Sequence, residues 1–238
     1  MVEVQAMELK KLKRERAVDA VYAALREAII TSLMKPGERM NVEELAGKLG
    51  VSLTPVRHAI QQLETEGLVE VKPRSGTFVA NLSVQDIEDT FDIRYALERL
   101  AAERAVERVT PEIVGSLRDL LRLLRRPVKT SADRHAHERH NAELHQLLIQ
   151  TSGNRRLEEM YDTLNAHIRI ARIHGAETDW TGRAKVEAAE HEAIVDALEA
   201  RNADALAEAL RCHIYRAKES LVDALKVRQS KNGRDASA

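Results

Sequence analysis

The chain has 238 residues, enough for two domains and a sizeable core. Apolar residues make up 44% but aromatic residues only 3%, a balance that suits helices packed through Leu, Ala, Ile and Val. A net charge of −1 excludes attachment to a polyanion by overall attraction, so any such binding must rest on locally placed Arg and Lys. The one cysteine, Cys212, excludes an intrachain disulfide, and no apolar run is long enough to cross a bilayer. No signal-peptide pattern opens the chain, and the expected location is a reducing cytoplasm, with no membrane partner.

Lys10, Lys11, Lys13, Arg14 and Arg16 form a basic run that reads either as phosphate-contacting or as a solvated terminus. The next patterned stretch is Asn41 to Val79. A helix over about Val42 to Leu49 places Leu45, Ala46 and Leu49 on one face, with Asn41 as its N-cap and Gly50 past its end. Thr54 is expected to cap a second helix with Pro55 at its first position. Val56, Ala59, Ile60 and Leu63 share the inward face of that helix. Leu68 to Val71 and Thr77 to Val79 alternate apolar and polar residues, as paired strands do, around a turn carrying Lys72 and Arg74. Helix, tight turn, helix and hairpin in this order make a winged helix-turn-helix, whose second helix enters the DNA major groove. The competing reading is a helical hairpin with a merely polar face.

Tyr22 to Val79 resembles the N-terminal domain of the GntR family of bacterial transcription regulators. The likeness is carried by AALREAII, PGERM at Pro36 to Met40, LAGKLGVS, TPVRHAIQQLETEGLVE and GTFV. The chain departs from that family where Glu43 and Leu53 replace arginines that commonly contact DNA, leaving Arg57 as the third. Phosphate contacts supply affinity and arginine–guanine pairs supply discrimination, so the departures imply a different operator or weaker binding. The candidate DNA contacts are Ser52, Thr54, Arg57, His58, Arg74 and the backbone of Gly76.

From Ser83 to about Val227 the sequence reads as helix throughout. Ser83 with Asp86 marks one start and Thr110-Pro111-Glu112 another. A third helix is expected from about Ala132 to Ser152, and a fourth from about Arg155 to His174. Gly175 to Gly182, with Trp180, reads as a loop. Two helices follow, about Arg183 to Ala200 and Ala203 to Val227, and Ser230 to Ala238 reads as a disordered tail. Six helices with short links predict an antiparallel bundle, so the fold class is mainly α. Cys212 is expected to be buried as a small apolar residue. His135, His137 and His140 read as a solvated polar face.

This region resembles the FCD effector domain of the FadR subfamily, through DIRYALERLAAERA, HNAELHQLLIQTSGNRRL, AEHEAIVDALEARNADAL and LRCHI. The helix count is closer to the VanR-type branch. The resemblance implies that Asn141, His145, His191 and His213 hold a divalent metal, with Zn, Ni or Mn as candidates. It also implies that Arg94 pairs with an effector carboxylate, in competition with an ion pair to Glu98 four residues on. Asn141 stands where the family often has Asp, so the site lacks one negative charge.

The domains are therefore expected at 1–16 (basic extension), 17–80 (winged helix-turn-helix), 81–228 (FCD-type effector domain) and 229–238 (disordered tail). The expected function is that of a homodimeric transcriptional regulator, by default a repressor. Its affinity for double-stranded operator DNA would be set by a small carboxylate effector. The alternatives are a purely structural metal, a metal-free pocket, and a metal-dependent hydrolase, for which no general base can be assigned.

Overall fold

The computed structural model describes residues 15–174 and 180–235. The chain divides into two compact units, one of residues up to Ile29 with Met34–Ala80, the other of Ile30–Leu33 with Asn81 onward. The expected basic run from Lys10 to Arg14 lies outside the described residues. No helix among those described is long and apolar enough to cross a membrane.

The first unit contains α1 (Glu15–Ile30) up to its last residue, β1 (Arg39–Met40), α2 (Val42–Leu49), α3 (Leu53–Thr65), β2 (Val69–Lys72) and β3 (Gly76–Val79). Its core gathers Val21, Leu25 and Ile29 from α1 with Ala46, Val56, Ala59, Ile60 and Leu63. Asn41 caps α2 through its side-chain oxygen, which accepts from the Glu43 and Glu44 amides. Gly50 ends that helix at φ 64°, a left-handed conformation costly for a side chain.

Two expectations are corrected here. Helix α3 begins at Leu53 after Ser52, which makes no side-chain capping bond, so Thr54 is not the cap. Pro55 is the third helical residue, tolerated because first-turn amides have no intrahelical partner to lose. The sheet also has a third strand: β1 joins in the order β1-β3-β2, antiparallel throughout, with Arg39 opposite Phe78.

The second unit contains α4 (Val84–Arg108), α5 (Pro111–Leu124), α6 (Ser131–Thr151), α7 (Arg155–His174), α8 (Trp180–Glu199) and α9 (Ala203–Asp235). The six helices match the count read from the sequence. Capping boxes start α4 at Ser83–Asp86 and α6 at Thr130–Asp133, and Thr110 caps α5. Helix α4 packs against α6, α7, α8 and α9, so its inward residues reach the middle of the bundle. Trp180 is buried in the first turn of α8, so only 175–179 of the expected loop remain, and these lie outside the described residues. Helix α9 runs to Asp235, replacing most of the expected tail; 236–238 lie outside the described residues.

Candidate functional site

In the first unit, Ser52, Thr54, Arg57 and His58 stand exposed at the start of α3. Helical spacing forces this: with Val56, Ala59, Ile60 and Leu63 buried, positions 54, 57 and 58 face outward. The β2–β3 turn exposes Arg74, in a left-handed conformation at φ 65°. Gly76 follows at φ 122°, and a Cβ there would meet the Arg39 Nε at 3.0 Å. Arg39 is itself exposed at the base of the wing, a cation the sequence reading did not single out because β1 is too short to show a pattern. These groups are open to solvent, so phosphate and base edges can reach them directly.

The second unit has the opposite character. His145 of α6, His191 of α8 and His213 of α9 are fully buried, and their nearest ring nitrogens all lie within 4.8 Å of one another. Each ring comes from a different helix, so only the closed bundle brings them together. His145 Nδ1–H donates to Glu98 Oε2 at 2.6 Å, and His213 Nδ1–H donates to Glu190 Oε2 at 2.8 Å. A carboxylate accepts only, so these bonds fix the proton on Nδ1 of both rings. The two Nε2 lone pairs then face each other at 3.2 Å. Facing lone pairs call for a proton or a metal cation between them. Burial lowers the pKa of all three rings. For His191 and His213 the shift goes well below the usual value, as the neighbouring imidazoles add to the effect, and a proton is disfavoured. His191 has no hydrogen-bond partner on either nitrogen, and Asn141 Oδ1, buried one turn before His145, has none. Buried polar atoms without partners are rare. The donor set fits a divalent cation with three neutral nitrogens and an amide oxygen.

Glu98 is the hub of this core, a wider role than the ion pair with Arg94 that its four-residue spacing predicts. It accepts from Arg94 Nε at 2.7 Å, from the Tyr161 hydroxyl at 2.8 Å and from His145. Burial would raise its carboxyl, but the hydrogen bond from His145 and the charge and hydrogen bond of Arg94 hold it below the usual carboxylate range. The Arg94–Glu98 ion pair therefore exists, yet it uses only Nε: Arg94 Nη1 and Nη2 are buried with no partner. The structural and ligand-binding roles of Arg94 are compatible, because a guanidinium presents five N–H groups.

A second ionic cluster lies in the same bundle. Arg172 Nη2 donates to Glu187 at 2.8 Å and its Nε to Glu138, while Arg183 bridges the same two carboxylates at 2.8 and 3.0 Å. Arg172 Nη1 is buried without a partner. The readable signal was a face of α6 on which Glu138, Asn141 and His145 recur at three- and four-residue spacing beside Leu144 and Leu148.

Two other expectations fail. Cys212 is exposed, with Sγ 3.3 Å from Glu208 Oε1, since His213 takes the inward position beside it. His137 is not on a solvated face but buried, edge-on to Trp180 with ring centroids 6.0 Å apart.

The FCD domain model matches residues 89–216 and the model of the gntR family of bacterial regulatory proteins matches 17–79. The chain belongs to the GntR family of transcriptional regulators. It is 30% identical over 207 residues to the HTH-type transcriptional regulator YdhC of Bacillus subtilis, covering 86% of this chain and 91% of that one. It is 27% identical to the HTH-type transcriptional repressor RspR of Escherichia coli over 84% of this chain and 87% of that one. The fold matches that of E. coli McbR/YncC with a TM-score of 0.75 at 22% identity, covering 87% of this chain and 97% of that one. This GntR regulator is thus a DNA-binding protein, and its relatives are transcriptional regulators rather than enzymes, which removes the hydrolase alternative.

Proposed function

We propose that this GntR regulator is a homodimeric repressor whose operator binding is released by a small organic acid. Ser52, Thr54, Arg57, His58, Arg74 and the Gly76 backbone are its candidate DNA contacts, with Arg57 reading a base and Arg74 holding phosphate. His145, His191 and His213 would hold a divalent metal (Zn, Ni or Mn), with the Asn141 amide oxygen as a fourth, neutral ligand. A metal so bound offers open positions to a carboxylate oxygen. Arg94 would take the same carboxylate through Nη1 and Nη2. One observation carries this reading: the unpartnered polar atoms of Arg94, Asn141 and His191 inside a closed core.

Ile93, Ala96 and Leu100 form an exposed stripe along α4 at heptad spacing, which supports pairing of two copies. Two copies would place two recognition helices on half-sites about one DNA turn apart. The effector shifts operator affinity only by its own difference in affinity for the DNA-bound and free arrangements, and the coupling runs along residues 80–83. The RspR relative is a repressor by name, which favours repression here.

The test begins with DNA selected from a random library by the metal-loaded protein. Binding is followed by fluorescence anisotropy as small carboxylates are added. Release by one acid, abolished in Arg94→Lys, is the expected result. Release that survives this substitution, or no release by any acid, contradicts the effector role.

A further inference from the structure

One face of the small sheet in the winged unit is packed and the other is open. Met40, Val69 and Val79 are buried, and by strand alternation Arg39, Glu70, Lys72, Gly76 and Phe78 share the opposite face. In the order β1-β3-β2, Arg39 stands on one side of Phe78 and Glu70 on the other, with Lys72 opposite Gly76. Two cations thus lie beside one ring, but only one of them is neutralised. Lys72 pairs with Glu70 at 3.2 Å, with its Nζ 5.4 Å from the centre of the Phe78 ring. Arg39 is exposed and has no ion pair among the described residues. Its neighbour Glu38 accepts instead from the Lys35 amide at 2.9 Å.

Gly76 accounts for where the Arg39 side chain lies. From its place opposite Phe78 the guanidinium reaches along β3 to Gly76. There its Nε, Nη2 and Cζ lie 3.0, 3.4 and 3.6 Å from the position a Cβ would take. A side chain at 76 would push Arg39 aside, besides being strained at φ 122°. The bare Gly76 backbone is therefore a floor for the planar group, two residues from the exposed Arg74 of the turn. A guanidinium placed by packing rather than by a carboxylate keeps its N–H donors for an anion. It also has less side-chain freedom to lose on binding one.

We infer that Arg39 is a further DNA contact, gripping a backbone phosphate from the outer face of the wing, and that Gly76 positions it. A planar fork of donors matches the geometry of phosphate oxygens. The inference rests on the reading that the wing faces DNA.

The experiment uses the full chain, the duplex it selects from a random library, and a duplex of scrambled sequence. Binding is followed by fluorescence anisotropy at about 50 and about 200 mM salt. Arg39→Gln should weaken both duplexes by a similar factor and lower the slope of log affinity against log salt by about 0.9. Its loss is then roughly threefold greater at the lower salt. Arg39→Lys keeps the charge and should keep the slope. Gly76→Ala should weaken binding in the wild type but much less in Arg39→Gln, with thermal unfolding of each variant to show that the fold is retained. An unchanged slope in Arg39→Gln, or a loss confined to the selected duplex, overturns the phosphate role. An equal cost of Gly76→Ala in both backgrounds overturns the positioning by Gly76. Arg74→Gln separates the two levels of the argument. If it weakens binding where Arg39→Gln does not, this inference alone fails; if neither has an effect, the wing does not face DNA and the underlying reading fails too.

Discussion

In the winged unit, Ser52, Thr54, Arg57, His58 and Arg74 stand in solvent, whereas in the helical unit Arg94, Asn141, His145, His191 and His213 are buried. The two regions therefore bear different costs for their candidate binding groups. An exposed arginine keeps its hydration until DNA displaces it, so folding is indifferent to it. A buried arginine must be paired before the domain can close, and any N–H left unpaired there costs stability. The winged unit should lose binding without losing stability when its groups are changed, and the helical unit should lose or gain stability as well.

The largest expected effect comes from Glu98→Ala. It strands Arg94, Tyr161 and His145 in the core, and should cost about 3–5 kcal/mol in urea unfolding of the chelated protein. A loss near zero would mean that the helical unit tolerates stranded charge, and the contrast would fail. Arg57→Ala should instead weaken binding to selected DNA by about 1–3 kcal/mol in anisotropy titrations, while moving unfolding by no more than about 0.5 kcal/mol. An equal loss from both quantities would place Arg57 in the fold rather than at the interface.

Smaller effects sharpen the picture of the winged unit. Asn41→Ala removes the acceptor for two α2 amides and should cost about 1 kcal/mol, read from chemical denaturation. Tyr22 donates its hydroxyl to Glu66, and burial with that carboxylate raises its phenol to about 12 from the usual 10.0. An acid whose folded pKa is raised stabilises the fold while both states keep the proton, and the contribution is lost as pH rises between the unfolded and folded values. Stability of the wild type should thus decline between pH 10.0 and about 12, measured by unfolding midpoints. Tyr22→Phe should lack that part of the decline.

The contrast also explains what the sequence could tell. In α3 the buried Val56, Ala59, Ile60 and Leu63 mark the outward face by elimination, so Arg57 and His58 were readable from periodicity. In α4 and α6 polar residues lie on the buried face, with Arg94 and Glu98 beside Phe91 and Ala101, and Asn141 and His145 beside Leu144. That mixture blurs the helical pattern, and no spacing rule links residues on α6, α8 and α9. Only family resemblance grouped the histidines. The roles of Glu98, Glu190 and Arg172 depend on which side-chain atoms remain unpaired, a property of the closed bundle. The start of α3 and the strand β1 were missed for a simpler reason: each turns on one or two residues.

Metal binding to the buried histidines is tested most directly by His191→Leu. His191 has no hydrogen-bond partner, so a leucine of similar bulk strands nothing and removes two unsatisfied nitrogens. The measurement is calorimetric titration of Zn²⁺ into chelated wild type and variant, with their unfolding temperatures. The predicted result is one saturable site per wild-type chain, none in the variant, and a metal-free variant at least as stable as the metal-free wild type. Equal Zn²⁺ binding by both proteins, or none by the wild type, would contradict the metal centre.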